Sequence, residues 1–127
     1  LISEILNNEE IDNYIKIANE LNLDVIVEVH EKDKFEKYLN KDNILLGINN
    51  RNLKNMTVDT NHSINIAKEY RKDNLICESG IASLDQFKKL IHKGFYNFLI
   101  GEYFMKSSNI EKELLKFSSH IIKNKVS

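Results

Sequence analysis

The chain has no proline and only one cysteine among its 127 residues. With Cys77 alone, an internal disulfide is impossible. That fits a reducing compartment and makes the cytoplasm the expected location. Charge of one sign is lacking too: 18 basic against 19 acidic side chains leave a formal net charge of −1. No global field therefore favours nucleic acid or a membrane surface, and neither is expected as a partner. No apolar run approaches the ~20 residues of a membrane span. Leu1–Asn8 has neither a basic region nor a cleavage-site pattern, so no signal peptide is read there. The chain opens on Leu1 rather than Met and is read as a fragment or a processed chain. Asn, Lys and Ile are heavily used. The apolar periodicity stays intact throughout, so the bias is compositional and not a mark of disorder.

The length suits one domain with a real core, and residues 1–127 are read as one. Ile11, Tyr14, Ile15, Ala18 and Leu21 recur at helical spacing over about 9–21, with Asn8 as the expected N-cap. A strand is expected at 24–29, a short helix around Phe35, Tyr38 and Leu39, and an apolar strand at 44–49. A helix at 61–71 and a strand at 75–78 follow. Ser83-Leu84-Asp85-Gln86 has the capping-box form and opens a helix that stops at Gly94. Phe98–Gly101 is the last strand. Ile110, Leu114, Phe117, Ile121 and Ile122 stripe a final helix before a solvated tail, Lys123–Ser127. Alternating helices and strands argue an α/β fold with a parallel sheet. Right-handed crossovers then bring every strand's C-terminal end to the same rim.

Each apolar run stops in a polar cluster. Val25-Ile26-Val27-Glu28-Val29-His30 is followed by Gly47-Ile48-Asn49-Asn50-Arg51-Asn52-Leu53, then Cys77-Glu78-Ser79-Gly80-Ile81, then Phe98-Leu99-Ile100-Gly101-Glu102. Polar groups at the C-terminal ends of successive strands are how a β/α barrel builds an active site. Glu28 is either a sheet-edge carboxylate paired with lysine or a general acid/base tuned by partial burial. Asn49–Asn52 reads as a turn or as part of a site. Arg51 is one of two arginines in a lysine-rich chain, and its planar fork matches a carboxylate or phosphate. Gly80 and Gly101 at strand-to-helix turns let backbone N–H groups approach an anion, or serve conformation alone. His30, His62, His92 and His120 lack metal-ligand spacing, and no metal site is expected. His30 is read as an exposed helix-start residue, and Cys77 as a small buried strand residue. No nucleophile elbow, Walker loop or G-x-G-x-x-G is present.

The succession V-I-V-E-V-H, G-I-N-N-R-N-L, C-E-S-G-I and F-L-I-G-E resembles the C-terminal half of the indole-3-glycerol-phosphate synthase family. Leu1–Leu6 and Asn7–Leu23 resemble that family's fourth strand end and fourth helix. The resemblance implies a (β/α)8 TIM barrel, of which this chain is the half from the end of strand four to helix eight. It implies a tryptophan-pathway carboxy-lyase that closes the indole ring of 1-(2-carboxyphenylamino)-1-deoxyribulose 5-phosphate, losing CO2 and water without a cofactor. Glu28 would be the acid/base group, oriented by Asn49. Arg51 would hold the anthranilate carboxylate, and Glu78 and Ser79 would meet the sugar phosphate. Leu99 would line the pocket. Backbone N–H groups around Gly80, Gly101 and Glu102 would take the phosphate. Glu102 stands where family members have a small hydroxyl residue, so its side chain should point away from the phosphate.

The family's essential lysines and another carboxylate lie on its first and third strands, and no lysine here matches them. The fragment by itself is expected to be inactive, with the N-terminal barrel half as its missing partner. Two other readings compete. One is a different phosphosugar barrel, such as an isomerase, against which Asn49-Asn50-Arg51 argues. The other is a non-catalytic phosphate-binding half-barrel that self-associates through open sheet edges.

Overall fold

The computed structural model describes residues 1–71 and 73–126, with side chains through 122. Helix α1 (Asn8–Glu20) leads to β1 (Ile26–Val29), α2 (Lys32–Tyr38) and β2 (Leu45–Asn49). Helix α3 (Asn61–Ile66), β3 (Leu75–Glu78), α4 (Leu84–His92) and β4 (Asn97–Leu99) follow. A short α5 (Glu102–Met105) and a long α6 (Ile110–Val126) close the chain. The strands form one four-stranded sheet in the order β1-β2-β3-β4, parallel throughout. The expected α/β architecture is thus present. Leu1–Ser3 runs along the outer edge of β1: Glu28 N–H donates to Leu1 O at 2.7 Å and Ser3 N–H to Glu28 O at 3.0 Å.

Local chemistry sets the helix ends. Asn7, not Asn8, is the N-cap of α1, because Glu10 stands three residues after it. Asn7 Oδ1 accepts the Glu10 N–H at 2.9 Å, and the Glu10 carboxylate accepts the Asn7 N–H at 2.8 Å. Ser83 caps α4 as expected, accepting the Gln86 N–H at 3.2 Å. Gln86 reaches back to the N–H of Ala82 instead of Ser83, so the reciprocal half of the box is shifted by one residue. At the far end Gly94 has φ 90°. Its N–H donates to Ile91 O, and the Phe95 N–H to Leu90 O, which is the Schellman arrangement.

Other boundaries differ from the sequence reading. α3 stops at Ile66 rather than near 71, and β4 ends at Leu99. The turn of helix α5 has no periodic apolar signal. α6 continues through Val126, across the stretch read as a solvated tail, and Ser127 lies outside the described residues.

Alternate strand residues take opposite faces. Val27, Val29, Leu46, Ile48, Leu75 and Cys77 face the helices and are buried with Ile11, Phe35, Tyr38, Phe87, Leu90 and Phe117. Ile26 and Glu28 on the other face are half-buried, and Leu45 and Leu99 are exposed. Sequential strand order with right-handed crossovers puts the helices together on one side and leaves the other open. Phe87 ties the C-terminal part of the core together, with ring centroids 4.6 Å from Phe98 and 4.5 Å from Phe117. Phe87→Ala is expected to cost about 3–5 kcal/mol of unfolding free energy, read as a fall in the urea midpoint with an unchanged slope.

Candidate active site

Strand register gathers the expected residues on the open face. Asn49 pairs with Glu78, and Glu78 with Leu99, so their side chains share one row. Glu28 stands one row below, opposite Gly47. The loops that follow β2, β3 and β4 carry Arg51, Ser79 with Gly80, and Gly101 with Glu102 around the same strand ends.

Glu78 is the most unusual group in this row. It is only 2 % exposed, and its Oε1 has no hydrogen-bond donor. Gly47 makes room for it: a Cβ at position 47 would fall inside the Glu78 carboxyl oxygen. Sequence reasoning missed that role, although a glycine inside an apolar strand is a usual sign of close approach. Burial pushes the Glu78 carboxyl up to about 8, and the neighbouring Glu28 carboxylate adds to the shift. The amine of Leu1 acts weakly in the opposite direction.

Asn49 is buried, but its side-chain oxygen accepts the Arg51 N–H at 2.9 Å. No hydrogen bond joins it to Glu28 among the described residues. Asn49 thus shapes the turn that carries Arg51. The Arg51 guanidinium lies at the half-exposed rim, 3.9 Å from the Glu102 carboxylate. Glu102 also accepts Lys106 Nζ at 2.6 Å. Lys106, and to a lesser extent Arg51, hold the Glu102 carboxyl below its ordinary value. The side chain expected to point away from the phosphate lies against Arg51 and Lys106. The Arg51–Glu102 pair is solvated, and an exposed ion pair is readily exchanged for a ligand.

The glycines separate. Ser79 and Gly80 have φ of 67° and 75°, successive left-handed residues that make a sharp turn after β3. A Cβ on Gly80 would run into Val58, so glycine is required there twice over. Gly101 has φ −112° and open space where a Cβ would stand, so neither conformation nor packing requires glycine at that position.

His30 also departs from expectation. It is half-buried, stacked on His62 at 4.0 Å between ring centroids, and its Nδ1 lies 2.8 Å from Asn49 O. His62 Nε2 in turn lies 2.6 Å from His30 O. Burial lowers the His62 pKa, which favours the neutral ring. Glu4 accepts the N–H groups of His30 and Glu31, at 2.7 and 3.2 Å. These side chains knit the ends of β1 and β2 together. Their spacing in sequence gave no sign of it.

A cleft of about 680 Å³ adjoins the site at Glu102 and is lined also by Ile81, Tyr103, Lys106 and Lys116. Another of about 590 Å³, lined by Tyr38, Leu46, Tyr70 and Leu75, opens near the N-terminal ends of β2 and β3.

The sequence matches the family model described as Indole-3-glycerol phosphate synthase over residues 1–117. The chain belongs to the indole-3-glycerol phosphate synthase family. The family protein of Aliarcobacter butzleri (strain RM4018) is 36% identical over 94% of this chain and 46% of its own length. That of Prochlorococcus marinus subsp. pastoris is 41% identical over 95% of this chain and 43% of its own. That of Neisseria meningitidis serogroup C is 33% identical, over 91% and 45%. The chain spans less than half the length of these curated relatives of the indole-3-glycerol phosphate synthase family. Among the described residues no helix is long and apolar enough to cross a membrane.

Proposed function

We propose that this chain supplies the C-terminal half of a (β/α)8 barrel and, within it, most of an indole-3-glycerol phosphate synthase site. The observation that carries the reading is the shared row on the open sheet face: Glu78, Asn49 and Leu99 together, with Glu28 one row lower on the neighbouring β1. An open parallel sheet with its polar residues at the C-terminal ends fits a barrel wall awaiting its other strands. The substrate is a phosphosugar bearing an anthranilate group. Arg51 binds the carboxylate, releasing Glu102. The turn at Ser79-Gly80 and the loop at Gly101-Glu102 receive the phosphate through backbone N–H groups. Leu99 packs beneath the aromatic ring.

Glu28 moves the proton during ring closure and dehydration, and Glu78, protonated at neutral pH, donates to the sugar. The general-acid lysines come from the N-terminal half. No cofactor takes part, and the reaction runs in the cytoplasm.

The test mixes residues 1–127 with a separately produced N-terminal half of the Prochlorococcus marinus relative and follows indole-3-glycerol phosphate by fluorescence. Neither piece alone should turn over, because loss of a catalytic acid forfeits about 10²–10⁴-fold in rate. The mixture should. A mixture that never turns over, from a chain that dimerises and binds phosphate, would favour the non-catalytic half-barrel instead.

A further inference from the structure

Asn50 stands between two residues of the proposed site and takes no part in the proposed chemistry. It is 1 % exposed, an amide in the core of the rim. Its Oδ1 accepts two bonds from Ser63, from N at 3.0 Å and from Oγ at 2.6 Å. Its Nδ2 donates to Ser79 O at 3.1 Å and faces Cys77 Sγ at 3.7 Å. The Cys77 thiol in turn donates to Ser63 Oγ at 3.0 Å. The backbone repeats the pattern: Asn50 N–H donates to Glu78 O at 2.9 Å, and Asn50 O accepts the Asp59 N–H at 3.1 Å. One residue thus joins the end of β2, the start of α3 and the turn after β3.

The bond to Ser79 O has a directional consequence. Ser79 holds a left-handed φ that a non-glycine residue keeps only when its surroundings over-determine it. Asn50 draws the Ser79 carbonyl inward. A trans peptide carries its C=O and the following N–H on opposite sides. The Gly80 N–H therefore points away from Asn50. It makes no hydrogen bond among the described residues. An inward carbonyl and an outward, unpartnered N–H at the rim are what an anion site asks of a backbone turn.

We propose that Asn50 is the positioning residue of the phosphate cradle, fixing the Ser79–Gly80 peptide so that the Gly80 N–H is aimed at the anion. The proposal rests on the phosphosugar reading above.

The test is Asn50→Asp in the enzyme assembled from both halves. The carboxylate can still accept from Ser63, but it offers no donor to Ser79 O and repels it. Inorganic phosphate, measured as a competitive inhibitor and by calorimetry, should bind about tenfold or more weakly. KM should rise with it and kcat should stay within about threefold, because the reacting groups are untouched. A purely structural role would lower kcat and the amount of folded enzyme without that split. Should Asn50→Asp fail to fold, Ser63→Ala decides: it removes the hydroxyl bond to Asn50 Oδ1, leaving only the Ser63 N–H, and should weaken phosphate about threefold as the amide loosens. Phosphate bound as tightly by the variants as by the parent would overturn the role of Asn50 and leave the phosphosugar reading standing. A parent that takes up no phosphate would overturn both.

Discussion

Glu28→Gln in the assembled barrel is expected to lower kcat by about 10²–10⁴-fold with little change in KM. Glutamine keeps the shape of the side chain on the open face of β1 and keeps a hydrogen-bonding oxygen. It cannot take up or release a proton near neutral pH. The strand beneath it is held by register with β2 and by the Leu1–Ser3 edge, neither of which uses the Glu28 side chain. Loss of rate without loss of folded protein therefore isolates the proton transfer. The check is steady-state fluorescence assay of product, with circular dichroism as the folding control. A variant with parental kcat would remove Glu28 from the chemistry and leave a sheet-edge carboxylate.

The stability of the chain is expected to fall as pH rises from about 4.5 to about 8, through the Glu78 carboxyl. In the folded chain, burial keeps Glu78 protonated up to about 8; in the unfolded chain a glutamate ionises near 4.5. Between these values unfolding releases a proton, so raising the pH favours unfolding. The Glu78 contribution is fully present below the lower value and lost through the upper one. His62 acts in the other sense. Its lowered pKa means the unfolded chain binds a proton the folded chain refuses, so stability is lost as pH falls below the ordinary histidine range. The difference between parent and Glu78→Gln cancels His62 and reports Glu78 with its coupled neighbour Glu28. Urea unfolding of both proteins across the window should show a declining curve for the parent and a flatter one for the variant. Parallel curves would mean that Glu78 is not held protonated by the fold.

What the sequence by itself determined is the periodic part of the molecule. The alternation of helical stripes and β-rich runs is written residue by residue, and it led to a parallel α/β sheet with Glu28, Asn49, Glu78 and Leu99 near strand ends. The combination G-I-N-N-R-N-L with E-S-G-I carried the family. Cap chemistry was legible to within one residue: Asn7 took the place expected for Asn8, because the partner Glu10 is fixed by the three-residue reach of a capping box.

Tertiary structure alone decided the rest. Only strand register brings Glu78 over Gly47 and beside Glu28, residues separated along the chain by intervening helices. Burial of that carboxyl, and so its raised pKa, belongs to no local pattern. The hydrogen-bonding hub at Asn50 and the stacked His30–His62 pair likewise join loops distant in sequence. Local sequence sets which conformations a segment prefers. Desolvation, charge proximity and the direction of a backbone N–H arise from distances in space, and those exist only once the sheet has formed.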